Sequence, residues 1–308
     1  MDIIQGIQNY TSSSKSILTI GTFDGVHMGH QKIINALVKD AKEKKLQANL
    51  LTFFPHPRMI LKSERTIKLI DTIKEKEIIL KKLGIDNLII HPFSLEFSKL
   101  SAVEYVRDIL VKKLKISSLY TGYNHYFGKN KEASVDDLIL FGKKYGFEVR
   151  TVSAENISSI TVSSTKIRDA ILNSNFEVAK KFLGRDYELN GIVIKGKGLG
   201  KTINFPTANL NIKEQYKLIP SKGVYLVRVY YNNNFFEGMM NIGNRPTIQG
   251  INQTQEVHIF NFNKNIYGEH LKVLFLKKIR DEKKFNSVED LKNQLIKDKD
   301  TCKRNLSI

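Results

Sequence analysis

The way apolar residues are punctuated changes once along this chain, near residue 186, and that change limits the possible folds more than any other feature of the sequence. Before it, short apolar runs alternate with helical patterns. Residues 17–20, 49–53, 87–90, 118–120 and 147–152 read as strands, and such runs suit strands buried on both faces of a parallel sheet. The helices between them carry start and stop signals. Ser101 with Glu104 forms a capping box and Ser134 with Asp137 a weaker one. Gly84 and Gly146 stand where a helix must turn left-handed to end. Ile33, Ile34, Leu37, Val38 and Ala41 make one apolar helix face behind a start near Gln31. Repeated β-then-α units imply an open parallel α/β sheet, whose ligands bind beyond the carboxyl ends of its strands.

After residue 186 the strand-like segments, 191–194, 223–231, 235–242, 256–262 and 271–277, follow one another without helices. Asn232, Asn233 and Asn234, and then Asn263, Lys264 and Asn265, stand where hairpin turns are expected. Five or six such strands imply a small antiparallel barrel. One helix closes the chain, capped by Ser287 with Asp290, with Val288, Leu291, Leu295 and Cys302 on a shared face. The expected fold class is therefore α/β: residues 1–185 form the sheet domain, and residues 186–308 the barrel with its C-terminal helix. A length of 308 residues, more than one core usually organises, agrees with two domains.

Composition narrows the function classes. The chain is 41% hydrophobic and 26% charged with only 6 Pro, which excludes disorder and collagen-like repeats for most of it. A formal charge of +18 calls for anionic partners, whether nucleic acid, anionic membrane or phosphorylated small molecules. There are 29 basic and 20 acidic residues up to Asp186, then 20 and 11, so each half carries +9. That even spread argues against a basic arm docking on DNA. A basic nucleic-acid-binding surface remains the rival from another class, though no RNA- or DNA-binding motif supports it. The single cysteine, Cys302, removes intrachain disulfides and Cys-based metal sites and suits a reducing compartment. The first residues lack the pattern of a secretory signal, and no apolar run nears the roughly 20 residues of a membrane span. A cytoplasmic setting is expected.

The strongest local signal is Gly21-Thr-Phe23-Asp24-Gly-Val-His27-Met-Gly29-His30, at the junction of the first clear strand and its helix. Glycines permit close backbone approach, two histidines three apart can face one phosphate, and a helix N-terminus favours anions. A lone His-x-x-His is more often solvated or satisfied in a core; the full string at a β–α turn favours a phosphate site. Ser163-Ser164-Thr165-Lys166-Ile167-Arg168 opens another helix and suits distal phosphates, although simple N-capping is the better reading of this segment taken alone. Thr121-Gly122-Tyr123-Asn124-His125-Tyr126 offers polar and aromatic groups for a ring. In the second half, Gly196-Lys197-Gly198-Leu199-Gly200-Lys201 resembles a phosphate loop in composition only. Thr207 and Asn209, two apart on an extended segment, share one face with oxygen ligands that suit Mg²⁺ and phosphate. Glu256 is a carboxylate able to deprotonate a hydroxyl.

Together these strings resemble the prokaryotic bifunctional riboflavin kinase/FMN adenylyltransferases (FAD synthetases) over essentially the whole chain. GTFDGVHMGH, TFFPHP, TGYNHYFG and SSTKIR match the adenylyltransferase module in order. NFPTANL, PSKGVY, NIGNRPT, EVHIFNF, IYGE and LKKIRDEKKF match the kinase module. The resemblance implies a nucleotidyltransferase sheet followed by a six-stranded riboflavin-kinase barrel. It implies that His27 and His30 polarise ATP phosphates in adenylyl transfer, with Gly21, Phe23, Asp24, Gly29, Asn124, Ser164, Thr165 and Arg168 completing the site. It implies that Gly196, Gly198, Gly200 and Lys201 cover the kinase nucleotide, that Thr207 and Asn209 hold Mg²⁺-ATP, and that Glu256 is the base for the ribityl 5′-hydroxyl. The implied partners are ATP, riboflavin, FMN and FAD, with no prosthetic group, nucleic acid or membrane, and no oligomeric state follows. Three departures stand out: Asn204 where the family often has Gly, Lys201 where Arg is frequent, and His125-Tyr126 after Asn124. Retention of only one activity, the other domain being a flavin-binding or regulatory module, is the nearer rival.

Overall fold

The structure, a computed structural model, describes the whole chain except residues 13, 62–66, 124, 154–155, 158–159, 197, 248–249 and 307–308. At 156–157, 160, 199, 245–247 and 250–252 it describes backbone alone. The chain divides into two compact units, Met1–Ser164 and Thr165–Ile308.

The first unit is built on β1 (Asp2–Gln5), β2 (Ser16–Ile20), β3 (Gln47–Phe53), β4 (Asn87–His91), β5 (Ile116–Gly122) and β6 (Glu148–Val152), in the order β1-β4-β3-β2-β5-β6. Every pairing is parallel. Five of these strands are legible in the sequence; β1 is not. Because side chains alternate across a strand, Ile17, Leu50 and Leu88 face one side while Leu18, Leu51 and Ile89 face the other. The first side packs on α1 (Met28–Lys44) and α3 (Ile73–Lys82), through Ile34, Leu37, Val38, Ala41 and Leu80. The single-turn α2 (Pro57–Ile60) lies between those helices in sequence. The second side packs on α4 (Ala102–Glu104), its π-helical continuation Tyr105–Lys113, and α5 (Val135–Tyr145). Both expected capping boxes form, at Ser101 and Ser134. A short antiparallel pair, β7 (Asn156–Ile157) and β8 (Ile160–Thr161), precedes α6.

One boundary differs from the sequence reading. Helix α1 starts at Met28, with His27 as its N-cap, three residues before Gln31. The His27 ring nitrogen accepts the first-turn amide that a Ser or Asp usually takes, so the helix begins inside the motif.

The second unit opens with α6 (Ser164–Leu172, its first residue in the other unit) and α7 (Phe176–Leu183). Then come β9 (Glu188–Ile194), the one-turn α8 (Leu199–Thr202), β10 (Ala208–Asn211), β11 (Gly223–Tyr231), β12 (Asn234–Thr247), β13 (Gly250–Ile259), β14 (His270–Arg280) and α9 (Val288–Leu306). The six strands close into an antiparallel barrel in the order β10-β13-β12-β11-β14-β9. Asn232 and Asn233 both adopt positive φ, 47° and 60°, which makes the β11–β12 connection the tight turn expected there. Asn263 to Asn265, by contrast, do not make a hairpin: β13 pairs with β12 and β10, β14 with β11 and β9, so this stretch crosses between non-neighbouring strands. Helix α9 packs Leu291, Leu295 and the buried Cys302 against Val224, Leu226 and Met239. Val288, expected on that face, is 54% exposed.

Candidate active sites

In the first unit the strand order reverses beside β2, the position at which open α/β sheets bind ligands. The motif that follows β2 and the one that follows β5 leave neighbouring strands at their carboxyl ends. The loop after β2 is conformationally tense. Phe23 and the β-branched Val26 hold φ of 45° and 34°, a region that costs such residues on the order of 1–3 kcal/mol. What holds the loop is on view. Val26 is fully buried and its carbonyl accepts from Gln31 Nε2 at 2.9 Å. The buried Asp24 carboxylate accepts from the Ile70 amide at 2.9 Å, and the Asp24 carbonyl accepts from Ser164 Oγ at 2.8 Å. Asp24, expected near phosphate, is thus seen bracing the loop through backbone groups.

The two histidines meet as their spacing requires. His27 Nδ1 accepts from the His30 amide at 3.3 Å, which leaves the ring proton on Nε2. The rings stack at 3.6 Å between centroids, and His30 also packs on Phe23 at 4.9 Å. Burial, with help from His27 and Lys76, holds His30 well below the usual histidine range. Its Nδ1 is buried without a partner among the described residues. Gly21 follows β2 directly, its amide donating to Leu51, and Gly29 lies in the first turn of α1. Ser164 opens α6, Thr165 and Arg168 follow on the same helix, and Asn124 lies outside the described residues. Tyr123 and Tyr126 flank that position, each more than half exposed, while burial lowers His125.

Lys76 is a residue that sequence reasoning missed. It is 3% exposed and donates to the Thr22 carbonyl at 2.7 Å. Burial pulls its ammonium down from the ordinary lysine range, and the Asp24 and Asp71 carboxylates oppose that. The available signal was a lysine inside the apolar stripe of α3, between Ile73 and Leu80.

In the second unit, β10 and β13 bring together residues 49 apart in sequence. Asn209 lies directly opposite Glu256 in the antiparallel register, and Thr207 Oγ1 donates to Glu256 Oε2 at 3.2 Å. All three line a cavity of about 370 Å³, the size of a small-ligand site. Gly196, Gly198, Gly200 and Lys201 line it as well, and Phe205, Met239, Leu291 and Leu295 give it an apolar wall. Of the glycines, Gly200 has a steric reason, since its neighbour is backbone, whereas Gly196 meets only the movable amide of Asn209. A Cβ on Gly196 would stand 2.2 Å from Asn209 Nδ2, and one on Gly200 2.2 Å from the Phe205 carbonyl oxygen. His258, also missed, lines the same cavity.

Both units also match known families. Residues 9–166 match the FAD synthetase family and residues 183–306 the riboflavin kinase family. The chain is 34% identical to the bifunctional riboflavin kinase/FMN adenylyltransferase of Escherichia coli K12, across 98% of this chain and 97% of that one. The chain belongs to the bifunctional riboflavin kinase/FMN adenylyltransferase family. The Listeria monocytogenes member is 38% identical, with 92% and 90% covered. A Streptococcus pneumoniae crystal structure described as a macrolide-efflux protein has a TM-score of 0.89 at 32% identity, over 98% of this chain and 99% of that one. Among the described residues no helix is long and apolar enough to cross a membrane. One departure from the family pattern now has a reason: Asn204 sits at φ 62°, where Gly is preferred and Asn is tolerated.

Proposed function

We propose that the chain makes FMN in its second unit and FAD in its first, each by direct transfer from ATP. The observation that carries the kinase half is the convergence of Thr207, Asn209 and Glu256 on one cavity wall. Glu256 acts as general base. Its carboxylate takes the proton of the ribityl 5′-hydroxyl as that oxygen bonds to the γ-phosphorus of ATP, and ADP leaves. Thr207 donates to one carboxylate oxygen and so fixes the direction in which the other is offered. The donor set, a hydroxyl, an amide and a carboxylate, fits Mg²⁺, which takes hard oxygen ligands. Thr207 and Asn209 would hold it with ATP, where it supplies neutralising charge at the β- and γ-phosphates.

In the first unit an FMN phosphate oxygen attacks the α-phosphorus of a second ATP, the bond to the β-phosphate breaks, and pyrophosphate leaves. His30 is held neutral, so the histidines serve this step by N–H hydrogen bonds. Positive potential comes from the N-terminus of α1, and the buried Lys76 holds the Thr22 carbonyl of the same loop. Ser164 ties the start of α6 to the loop that carries His27. Asn124, Thr165 and Arg168 take their ATP-binding roles from the family pattern. We place the boundary between the two catalytic modules at residue 186, in the connection between α7 and β9; the family matches, which stop at 166 and resume at 183, leave room for it. A cytoplasmic setting suits a chain whose only cysteine is buried, with its thiol pushed up to about 12.

Incubation with riboflavin and Mg²⁺-ATP, followed by chromatography of the flavins, tests both halves at once. FMN and then FAD should appear. Absence of FMN would remove the kinase assignment, and FMN without FAD the adenylyltransferase assignment.

A further inference from the structure

Strand β13 places Glu256 and His258 two residues apart, on the same face, and both line the kinase cavity. The His258 Nδ1 lies 2.8 Å from the Pro206 carbonyl oxygen. A carbonyl has no proton to give, so Nδ1 carries one and donates it. The other ring nitrogen is Nε2. That nitrogen is buried and has no partner among the described residues. The ring packs on Phe205 at 5.1 Å and Phe260 at 5.7 Å. An apolar side chain would fill such a slot without leaving a buried nitrogen unpaired, so packing alone does not account for a histidine here.

Its bond falls on the residue that precedes Thr207. Proline has no N–H, so this peptide can be fixed only through its carbonyl. The Thr207 hydroxyl in turn donates to Glu256. Glu256, Thr207, Pro206 and His258 thus form a closed circuit: two members are neighbours in sequence, two lie on β13, and two hydrogen bonds join the pairs. We propose that His258 is a positioning residue for phosphoryl transfer, its Nδ1–H holding the Pro206 carbonyl so that Thr207 meets Glu256 in the attacking geometry. This rests on the reading of Thr207 and Glu256 as the kinase site.

Asn and Gln separate the two ring nitrogens, because Asn Nδ2 falls near the place of Nδ1 and Gln Nε2 near that of Nε2. In the full-length protein, His258→Leu, His258→Gln and His258→Asn are compared with the wild type. The readouts are kcat and KM for FMN formation, FAD formation from supplied FMN, and Tm. His258→Leu and His258→Gln should lose on the order of 10- to 100-fold in kcat, the usual scale for misplacement of about 1 Å, with KM for riboflavin little changed. His258→Asn should recover most of the rate, and FAD formation should be unchanged in all three. Should His258→Leu fail to fold, the Asn and Gln variants at matched Tm still decide. Equal rates in those two, or a loss confined to KM, would overturn the proposal. A wild type that makes FMN beside an equally fast His258→Leu sinks the positioning role alone. A wild type that makes no FMN sinks the kinase reading beneath it.

Discussion

At the scale of single residues, the loop after β2 and the start of α1 bring the His27–His30 pair near the buried Lys76, which donates to the Thr22 carbonyl. His30 is half-buried, stacked on His27 and repelled by Lys76, and all three circumstances favour the neutral ring. The consequence for stability has a definite sign. An unfolded His30 titrates near 6.5, whereas the folded one binds its proton only at lower pH, so below about 6.5 the unfolded chain holds more protons. The stability contributed by the neutral ring is present above that value and is lost as pH falls, by at most about 1.4 kcal/mol per pH unit. Hydrogen exchange of the α1 amides, corrected for intrinsic rates, should lose protection between pH 7.5 and 5.5, and His30→Gln should flatten that loss. An unchanged slope in the variant would refute the assignment. Lys76 is the complementary case. Lys76→Met removes the donor to the Thr22 carbonyl and leaves Asp24 and Asp71 without their buried cation. FAD formation from supplied FMN should fall at least about tenfold, while FMN formation from riboflavin holds its rate. Parallel loss of both activities would mean that Lys76 supports the whole chain rather than one site.

At the scale of elements, strand register does most of the placing. Thr207 and Asn209 share a face because they are two apart on an extended segment, which the sequence makes plain. That Glu256 is their partner depends on β10 lying antiparallel to β13, a pairing no local pattern announces. The same distinction explains what was legible. Strands β2 to β5 are largely buried on both faces, so their composition marks them; β6, expected to be buried in the same way, is instead a largely exposed strand at the sheet edge. The four residues of β1 are largely exposed and held by pairing with β4 alone, so no hydrophobic pattern marks them. Turn chemistry at Asn263 to Asn265 shows that the chain leaves β13, but not that the next strand lies across the barrel. Lys76 and His258 escaped for a related reason. Each acts through a carbonyl more than 50 residues away, and only the fold brings the two ends together. The loop before β10 carries its own test. Gly200→Ala puts a methyl group against the Phe205 carbonyl, a contact only backbone movement can relieve. FMN formation should fall several-fold with a raised KM for ATP, and FAD formation from supplied FMN should be untouched. A kinase with wild-type KM would show that the close approach at Gly200 has no functional weight.

At the scale of the whole molecule, the chain is two folds with two chemistries. In the first, the strand order of a parallel sheet reverses beside the helix that follows β2; in the second, a closed barrel offers a cavity lined in part by Glu256. The +18 charge belongs with this division: each half carries the same excess and handles nucleotide phosphates, so the field draws ATP and FMN toward both. The central claim is that the two reactions occupy separate sites, one per fold. The most direct test is the flavin profile of the His30→Ala enzyme supplied with riboflavin and Mg²⁺-ATP. FMN should accumulate at the wild-type rate with FAD absent. Joint loss of FMN and FAD, or FAD formed at the wild-type rate, would contradict the account.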